Sequence, residues 1–206
     1  MTETAPPPAA APAVQPVAPK PPMSTGRIVL IVVAAVLILG VYLVVRYVSG
    51  AVGAAVDNRV AQAQELQLYS SAAEGFSVEA PGEASTSSHD GNTDGGGYTQ
   101  IQTTWKDGLY VIVTIDFSEY GIEDADLVLE SSVDSMIAAT EGAKLRESER
   151  VTFNGAPAIV GILDVPKTPG LRFVVALHNE TQYAIIAATF SDDRDEDFLA
   201  SFEFLD

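Results

Sequence analysis

An uncharged run of eighteen residues near the N-terminus constrains this chain more than any other feature of its sequence. Ile28–Val45 contains no charged residue and no polar stripe, and Arg27 and Arg46 bracket it. An α-helix rises about 1.5 Å per residue, so about 18 to 20 residues cross a hydrocarbon core of about 30 Å. The run predicts a single transmembrane helix over residues 27–48, with the membrane as its partner.

A cleaved signal peptide is the competing interpretation of this run. Its apolar region would be too long, too many residues precede it, and no clean cleavage site follows at once. We therefore predict an uncleaved signal-anchor in the cell membrane. The numbers of basic residues on the two sides of the span are nearly equal, so they do not decide its orientation in the membrane. The orientation is instead predicted from the short N-terminal tail and from the many acidic residues of the domain that follows the span. These favour a cytoplasmic N-terminus and an extracytoplasmic C-terminal domain.

The segments around the span differ sharply in composition. Residues 1–26 are rich in proline and alanine, which predicts a disordered tail. A helical stalk is predicted over residues 49–74, because Val56, Val60, Ala63 and Leu66 or Gln67 recur at helical spacing. The same apolar stripe would allow a weak dimer through the stalk. Residues 75–206 form the predicted folded domain.

Charge and cysteine content exclude several classes of function. Up to Glu74 four basic and four acidic residues balance, so the residues from Gly75 onward carry the whole net charge of -17. Such a surface repels nucleic acid, and no nucleic-acid partner is expected. The chain has no cysteine, which rules out disulfides and thiol catalysis. No cofactor is predicted.

The domain alternates strands with turn signals and contains two helices. Asp107-Gly108 and Asn154-Gly155 are two hairpin turns of type I′ composition. Seven strands are predicted, over Phe76–Glu79, Tyr98–Trp105, Leu109–Phe117, Leu145–Phe153, Ala156–Val165, Arg172–His178 and Gln182–Phe190. A first helix follows Asp124, with Leu129, Val133, Met136, Ile137 and Thr140 inside and Gly142 at its end. A second begins at Ser191 or Asp192, with Phe198, Leu199 and Phe202 inside. The pattern predicts an α+β fold, an antiparallel sheet of about 6–7 strands with two packing helices.

The opening segment Phe76–Gly82 resembles the start of a Mog1/PsbP-like domain. The Asn154-Gly155 hairpin and the closing Phe198–Phe202 helix are similar to the same layout, over about residues 75–206. The resemblance implies a layered sandwich of bacterial envelope proteins, without shared catalytic residues. Here no lipobox cysteine is present, so the helix must be the anchor. The alanine- and proline-rich tail and the acidic domain look actinobacterial.

A glycine-rich loop is predicted from Ser85 to Gly97, and it holds the sharpest local motif. Asp90, Asn92 and Asp94 match the first half of an EF-hand calcium loop, D-x-N-x-D-G. The twelfth position, however, is Ile101 instead of glutamate, and strands flank the loop. An ordinary loop is therefore the preferred interpretation, with weak calcium binding as the alternative.

Other polar residues favour structural roles. The acidic run Asp192–Asp197 occupies a predicted first helical turn, where negative charge is favourable. His89 and His178 are the only histidines, and no nucleophile elbow accompanies them. Trp105 follows the pattern of cross-strand packing rather than of a ligand platform.

These observations predict an interaction domain without catalytic activity, which binds a protein partner in the cell envelope. The alternative is a module for a small ligand or lipid, with a pocket between sheet and helix under the Gly91–Gly97 loop. A hydrolase is a distant third.

Overall fold

The computed structural model of the protein describes residues 66–93, 96–105, 110–118, 122–140, 142–166, 170–187 and 192–205. The predicted tail, the span Ile28–Val45 and the stalk up to residue 65 lie outside these residues, as does the stalk dimer. Within the described ranges, none of the helices has the length and apolar character needed to cross a membrane.

Seven antiparallel strands form the main sheet, in the order β3-β4-β5-β9-β8-β7-β6, and three more form a small sheet, β1-β2-β10. In chain order the elements are β1 (Leu66–Ser71), β2 (Phe76–Pro81), β3 (Ser85–Thr93), β4 (Gly96–Trp105), β5 (Tyr110–Asp116), α1 (Ala125–Ala139), β6 (Lys144–Phe153), β7 (Ala156–Asp164), β8 (Leu171–His178), β9 (Thr181–Ala187), α2 (Asp192–Ala200) and β10 (Glu203–Phe204).

Two runs of consecutive hairpins build the main sheet, and a single pairing joins them. β3 to β5 form the first run, and β6 to β9 form the second after α1. The runs meet where β5 pairs with β9, from Tyr110 opposite Ala187 to Asp116 opposite Thr181. For the described residues, the predicted α+β fold with a mainly antiparallel sheet and two helices is therefore confirmed. The predicted strand Phe76–Glu79, however, belongs to the small sheet rather than to the main one.

Helix α1 covers one face of the main sheet. Asp124 is its N-cap, as predicted, and accepts a hydrogen bond from the Leu127 amide at 3.0 Å. The predicted inner residues Leu129, Val133 and Met136 are buried against side chains of β5, β7, β8 and β9. Ile137 is only partly buried, and Thr140 is the C-cap rather than a helical residue.

The opposite face of the main sheet carries an aromatic core, shared with α2 and the small sheet. Phe198 and Phe202 are fully buried there, as predicted, and Leu199 is partly buried. Most of its ring pairs pack edge to face or tilted, a favourable arrangement for aromatic pairs. The Trp105–Phe198 centroids lie 6.0 Å apart and the Tyr110–Phe198 centroids 4.6 Å apart. This core holds α2 and the small sheet against the main sheet.

Two tight hairpins have the backbone that a type I′ turn requires. Asn154 and Gly155 have φ of 49° and 86°, which confirms that predicted turn. Asn179 and Glu180 also have positive φ, 46° and 62°, although neither is glycine. These turns bring β7 beside β6 and β9 beside β8.

The helical stalk is wrong over its last part, because residues 66–71 form strand β1. Leu66 to Ser71 pair with Pro81 to Phe76 of β2 in an antiparallel register. Tyr69 points into the aromatic core, with its ring centroid 5.2 Å from that of Trp105. Tertiary pairing overrides helix propensity here, and the folded domain includes these residues instead of beginning at Gly75.

The glycine-rich loop predicted from Ser85 to Gly97 is also wrong, because most of it forms the hairpin of β3 and β4. Nine residue pairs join the strands without interruption, from Ser85 opposite Thr104 to Thr93 opposite Gly96. Serine, glycine and asparagine are weak strand formers. The neighbouring strand β4 supplies the backbone partners that local propensity does not predict.

Candidate functional site

An open groove of about 520 Å³ lies on the outer side of the small sheet. It is on the far side of the main sheet from α1, since the small sheet packs on the aromatic face. Strands β1, β2 and β10 and the end of α2 supply its lining residues, which are Leu66, Leu68, Ser77, Glu79, Asp197, Ala200, Ser201 and Glu203.

Strand alternation places these side chains on one surface. In β2, Phe76, Val78 and Ala80 are fully buried in the aromatic core, so Ser77 and Glu79 point the other way. Leu68 is directly opposite Glu79, and Glu203 is directly opposite Ser77. A leucine and two carboxylates are thereby brought together from three strands.

Ser201 fastens the end of α2 to the rim of the groove. Its Oγ accepts a hydrogen bond from the Glu79 amide at 2.9 Å and lies 2.8 Å from the Phe198 carbonyl oxygen. Strand β10 pairs only with Ser77 and Phe76, so it does not extend to the Glu79 amide. The serine hydroxyl therefore continues the pairing of β2 where β10 stops, and α2 cannot move away without losing this bond.

Carboxylates dominate the charge of the groove. Glu79, Asp197 and Glu203 line it, and none of the lining residues that the structure describes is basic. Among the described residues there is no group of three histidines, cysteines or acids with the spacing to hold a metal ion. Acidic side chains arranged in this way complement a positively charged ligand.

Leu68 gives the same groove an apolar contact. It is 70 % exposed, which is high for a large hydrophobic residue in a strand. A single exposed leucine needs no explanation by itself. Here Leu66 lies two positions away on the same strand face and also lines the groove, so the apolar surface extends along β1.

The predicted calcium residues do not form a described site. Asp90 lies in β3 rather than in a loop, directly opposite Thr99, and its Oδ1 accepts a hydrogen bond from Thr99 Oγ1 at 2.9 Å. Asn92 follows in the same strand, but its side chain and all of Asp94 lie outside the described residues. An EF-hand segment curls around its ion, whereas residues 90 to 92 are extended. Weak calcium binding there remains a prediction.

The two histidines are far apart and face opposite sides of the main sheet. His89 is opposite Gln100, in a row that continues through Ile115, Gln182 and Leu177. His178 is the next residue after Leu177 and therefore points to the other face, where its ring stacks on Phe204 with centroids 4.3 Å apart. Four strand spacings of about 4.8 Å separate the two histidines by about 19 Å. They do not share a site.

The acidic run at α2 contains one residue that sequence analysis placed wrongly. Helix α2 begins at Asp192, as predicted. Asp195, however, is only 3 % exposed, although the whole run was predicted to serve capping and solubility. It precedes Phe198 by three positions and Phe202 by seven, and this spacing places all three residues on the inner side. Helical periodicity was the signal that would have found it.

Trp105 is a packing residue, as predicted. It is 1 % exposed and opposite Tyr110 in the neighbouring strand. Tyr69 and Phe198 contact it edge to face. Because it is almost fully buried, Trp105 offers no surface to a ligand.

Two buried amides leave one polar atom each without a partner on the α1 face. They are the Gln100 Oε1 and the Gln182 Nε2, and the two residues flank Ile115 in one cross-strand row. The other end of the Gln182 amide is satisfied, because its Oε1 accepts a hydrogen bond from Ser132 Oγ of α1 at 2.9 Å. This pair is remote from the groove.

Sequence analysis missed the groove because it assigned Leu66 and Leu68 to a helix. No apolar and polar alternation marks β1, because Leu68 is exposed while Tyr69 packs in the aromatic core. The turn at Gly75 before the strand-like Phe76–Glu79 was the available signal for a hairpin. Glu203 could not be placed from sequence, because its position depends on β10 returning to pair with β2.

No protein-family model and no curated protein matches this sequence. Among solved structures, the chain is similar to cyanobacterial PsbP (CyanoP) from Synechocystis sp. PCC 6803, with a TM-score of 0.43 and 14 % identity over 68 % of this chain and 93 % of that one. It is also similar to PA94, a protein of unknown function from Pseudomonas aeruginosa, with a TM-score of 0.31 and 16 % identity over 64 % and 88 %. We draw neither family nor function from likenesses at these TM-scores.

Proposed function

We propose that this chain is a membrane-anchored, extracytoplasmic interaction domain of the bacterial cell envelope, without catalytic activity. Its groove binds a segment of a protein partner that carries lysine or arginine next to an aliphatic side chain. The Mog1/PsbP-like family is part of the proposal and is supported by the order of elements, not by the structural comparisons.

One observation carries the proposal, namely that the groove combines an exposed apolar strand face with carboxylates from three elements. Leu68 is 70 % exposed beside Glu79, and Asp197 and Glu203 complete the acidic rim. Long basic side chains lay their methylene stems on apolar surface while the charged group reaches a carboxylate. No basic residue is among the described lining residues, so none of those residues competes for these carboxylates.

Site-specific photo-cross-linking in native membranes tests the groove. A photoreactive amino acid replaces Leu68 in the full chain, and the matched control carries it at Leu145, another exposed large hydrophobic residue, at 41 % exposure. We expect a discrete protein adduct at position 68, which weakens in Glu79→Gln/Glu203→Gln and at high salt. Equal adducts at both positions, or none at position 68, would reject the groove.

The absence of cysteine makes the anchoring part of the proposal simple to test. Single cysteines are introduced at Ala10 in the tail and at Glu149 in β6, and intact cells are treated with an impermeant maleimide. We expect labelling of E149C from outside and of A10C only after lysis. The reverse pattern would invert the orientation, and recovery of the chain in the soluble fraction would reject the anchor.

The second candidate is a small-ligand module, which the groove volume of about 520 Å³ favours, since such sites span about 300–1,000 Å³. The groove is not the pocket predicted under residues 91–97, which belong mainly to β3 and β4.

Thermal unfolding of the full chain in detergent, with and without lipid extract, separates the candidates. A ligand at 100 times its Kd adds about 2.7 kcal/mol. A shift that disappears in Leu68→Asp would assign the groove to a small molecule.

A further inference from the structure

The two edges of the main sheet differ in whether they can accept another strand. β6 and β3 are the outermost strands in the order of the sheet. An outermost strand presents unpaired N–H and C=O groups, and natural sheets block such edges with charges, bulges or covering elements. The contrast between these two strands identifies an interaction surface.

The β6 edge is blocked in several ways. Five of its ten residues are charged, and the register shifts between Leu145 and Glu147. Arg146 forms an ion pair with Asp164 of the neighbouring strand, and Arg150 with Asp126 and Glu130 of α1. An incoming strand would have to displace these groups.

The β3 edge has none of these devices. Its nine residues, STSSHDGNT, include no proline, lysine or arginine, and Asp90 is the only acidic residue. Its pairing with β4 runs through nine registered positions without a bulge. Residues 85–90 are all exposed, and no strand among the described residues pairs with the outer edge of β3. It offers a regular edge about 30 Å long.

We propose that β3 is a self-association surface, at which two copies of this chain pair antiparallel across a two-fold axis. Full overlap of the nine residues centres the axis at His89, so His89 lies opposite its own copy and Ser88 lies opposite Asp90 of the other copy. The two main sheets then continue into one another. This inference is independent of the groove and of the proposed function.

The charge pattern of β3 permits pairing with a second copy of the chain. Each chain carries a net charge of -17, so two copies repel wherever their acidic surfaces meet. β3 has a single carboxylate, and the two-fold register keeps the two Asp90 residues from lying directly opposite each other. A basic partner would gain little from so neutral an edge, whereas strand pairing needs no charge.

The blocked edge also determines the size of the assembly. Because β6 accepts no strand, pairing through β3 uses the only open edge of the described main sheet. An isologous contact of this kind closes at two copies, while two open edges would give a filament. The proposal is therefore specific for a dimer.

Charge variants at Ser88 test the register directly. The full chain is examined by sedimentation equilibrium in density-matched detergent over a concentration series. Ser88→Asp places a carboxylate opposite Asp90 twice in the dimer and should raise its Kd by about fivefold. Ser88→Lys places an ammonium there and should lower the Kd by a similar factor. Ser88 is exposed, so neither variant should unfold the monomer.

Matched controls use Ser148, an exposed serine of the blocked strand β6. Ser148→Asp and Ser148→Lys should leave the dimer Kd unchanged. A monomer at every concentration would overturn the proposal. Equal shifts in the Kd from the two Ser88 variants would overturn it as well. A dimer whose Kd is unchanged in both variants would also overturn it, because association would then occur elsewhere, such as at the stalk.

Disulfide trapping provides a second measurement that does not depend on affinity. His89→Cys lies opposite itself, where antiparallel Cα atoms are about 4.5–5.5 Å apart and a disulfide fits. Ser87→Cys is displaced from its copy by four residues, about 14 Å, and should not cross-link. We expect a dimer band under oxidising conditions for H89C alone. No band for H89C, or equal bands for H89C, S87C and S148C, would contradict the pairing.

Discussion

Gly161, in the middle of β7, shows how tightly the main sheet is packed. A β-carbon there would lie 2.5 Å from the carbonyl oxygen of Glu147 and 2.6 Å from Cζ of Phe173. The first is backbone and the second belongs to a fully packed ring, so neither moves freely. The position demands glycine for space rather than for φ.

We predict that Gly161→Ala lowers the free energy of unfolding by about 1–3 kcal/mol, because overpacking forces backbone and ring to shift. Urea denaturation measures the loss. The control is Gly155→Ala, where no atom lies within 4 Å of the added carbon but φ is +86°. Backbone strain there costs about 1 kcal/mol. A smaller loss at position 161 than at position 155 would contradict the steric argument.

Tyr183 makes stability depend on alkaline pH. Burial raises the pKa of its phenol above the ordinary value of 10.0, while its Oη donates a hydrogen bond to the Gly75 carbonyl at 3.4 Å. The unfolded phenol releases its proton first as pH rises. The stabilisation is therefore complete below about pH 10 and decreases as pH rises through the folded pKa.

We expect the stability of the native chain to fall more steeply above about pH 10 than that of Tyr183→Phe, which cannot ionise. Urea midpoints at a series of alkaline pH values make the comparison. Burial also raises the pKa of Tyr98, so some loss should persist in Y183F. Parallel curves for the two proteins would show that Tyr183 does not contribute.

At the scale of elements, α1 depends on its N-terminal cap and on contacts that reach two other elements. Asp124 caps the helix, and Ser132 bonds Gln182 of β9. Arg150 of β6 pairs with Asp126 and Glu130, but all three side chains are largely exposed. Exposed pairs add about 0–1 kcal/mol. The cap and the apolar face therefore decide whether the helix stays in place.

Asp124→Ala should lower stability by about 1 kcal/mol, since the Leu127 amide loses its acceptor. The control is Asp134→Ala, an exposed position within the same helix, which removes the same charge without removing a cap. We expect it to change stability by less than about 0.5 kcal/mol. Chemical denaturation of both variants provides the test, and equal losses would remove the cap from the explanation.

At the scale of the whole molecule, charge opposes the fold. The net charge of -17 resides beyond Glu74, so the folded domain concentrates it. Self-repulsion destabilises a compact state, and salt screens it, with a Debye length that falls from about 30 Å at 0.01 M to about 3 Å at 1 M. Its exposed ion pairs act in the opposite direction but are weak.

Added sodium chloride should accordingly raise the midpoint of thermal unfolding of this chain by several degrees between about 0.01 M and 0.5 M. The matched variant Glu83→Lys/Asp134→Lys changes two exposed acidic residues and should show a smaller rise. A midpoint that falls with salt would mean that ion pairs outweigh repulsion.

Local pattern alone predicted most elements of the main sheet and both helices. Alternation identified seven strands, and Asn154-Gly155 and Asp124 identified a turn and a cap, because these depend on the residue and its immediate neighbours. Strand β3 was not predicted, because its serine, asparagine and glycine residues lack strand propensity. Strand β1 was not predicted, because its sequence LQLYSS was assigned to the end of an amphipathic helix.

The sequence by itself determined seven of the strands, the two described helices, the Asn154-Gly155 hairpin and the acidity of this protein, because short-range preferences and composition act within a few residues. Only the tertiary structure decided the pairing of β5 with β9, the return of β10 to β2 and the burial of Asp195. Each joins residues distant along the chain, through contacts that exist only after the core has packed. The groove belongs to this second group, since Leu68, Glu79 and Glu203 meet through two such pairings.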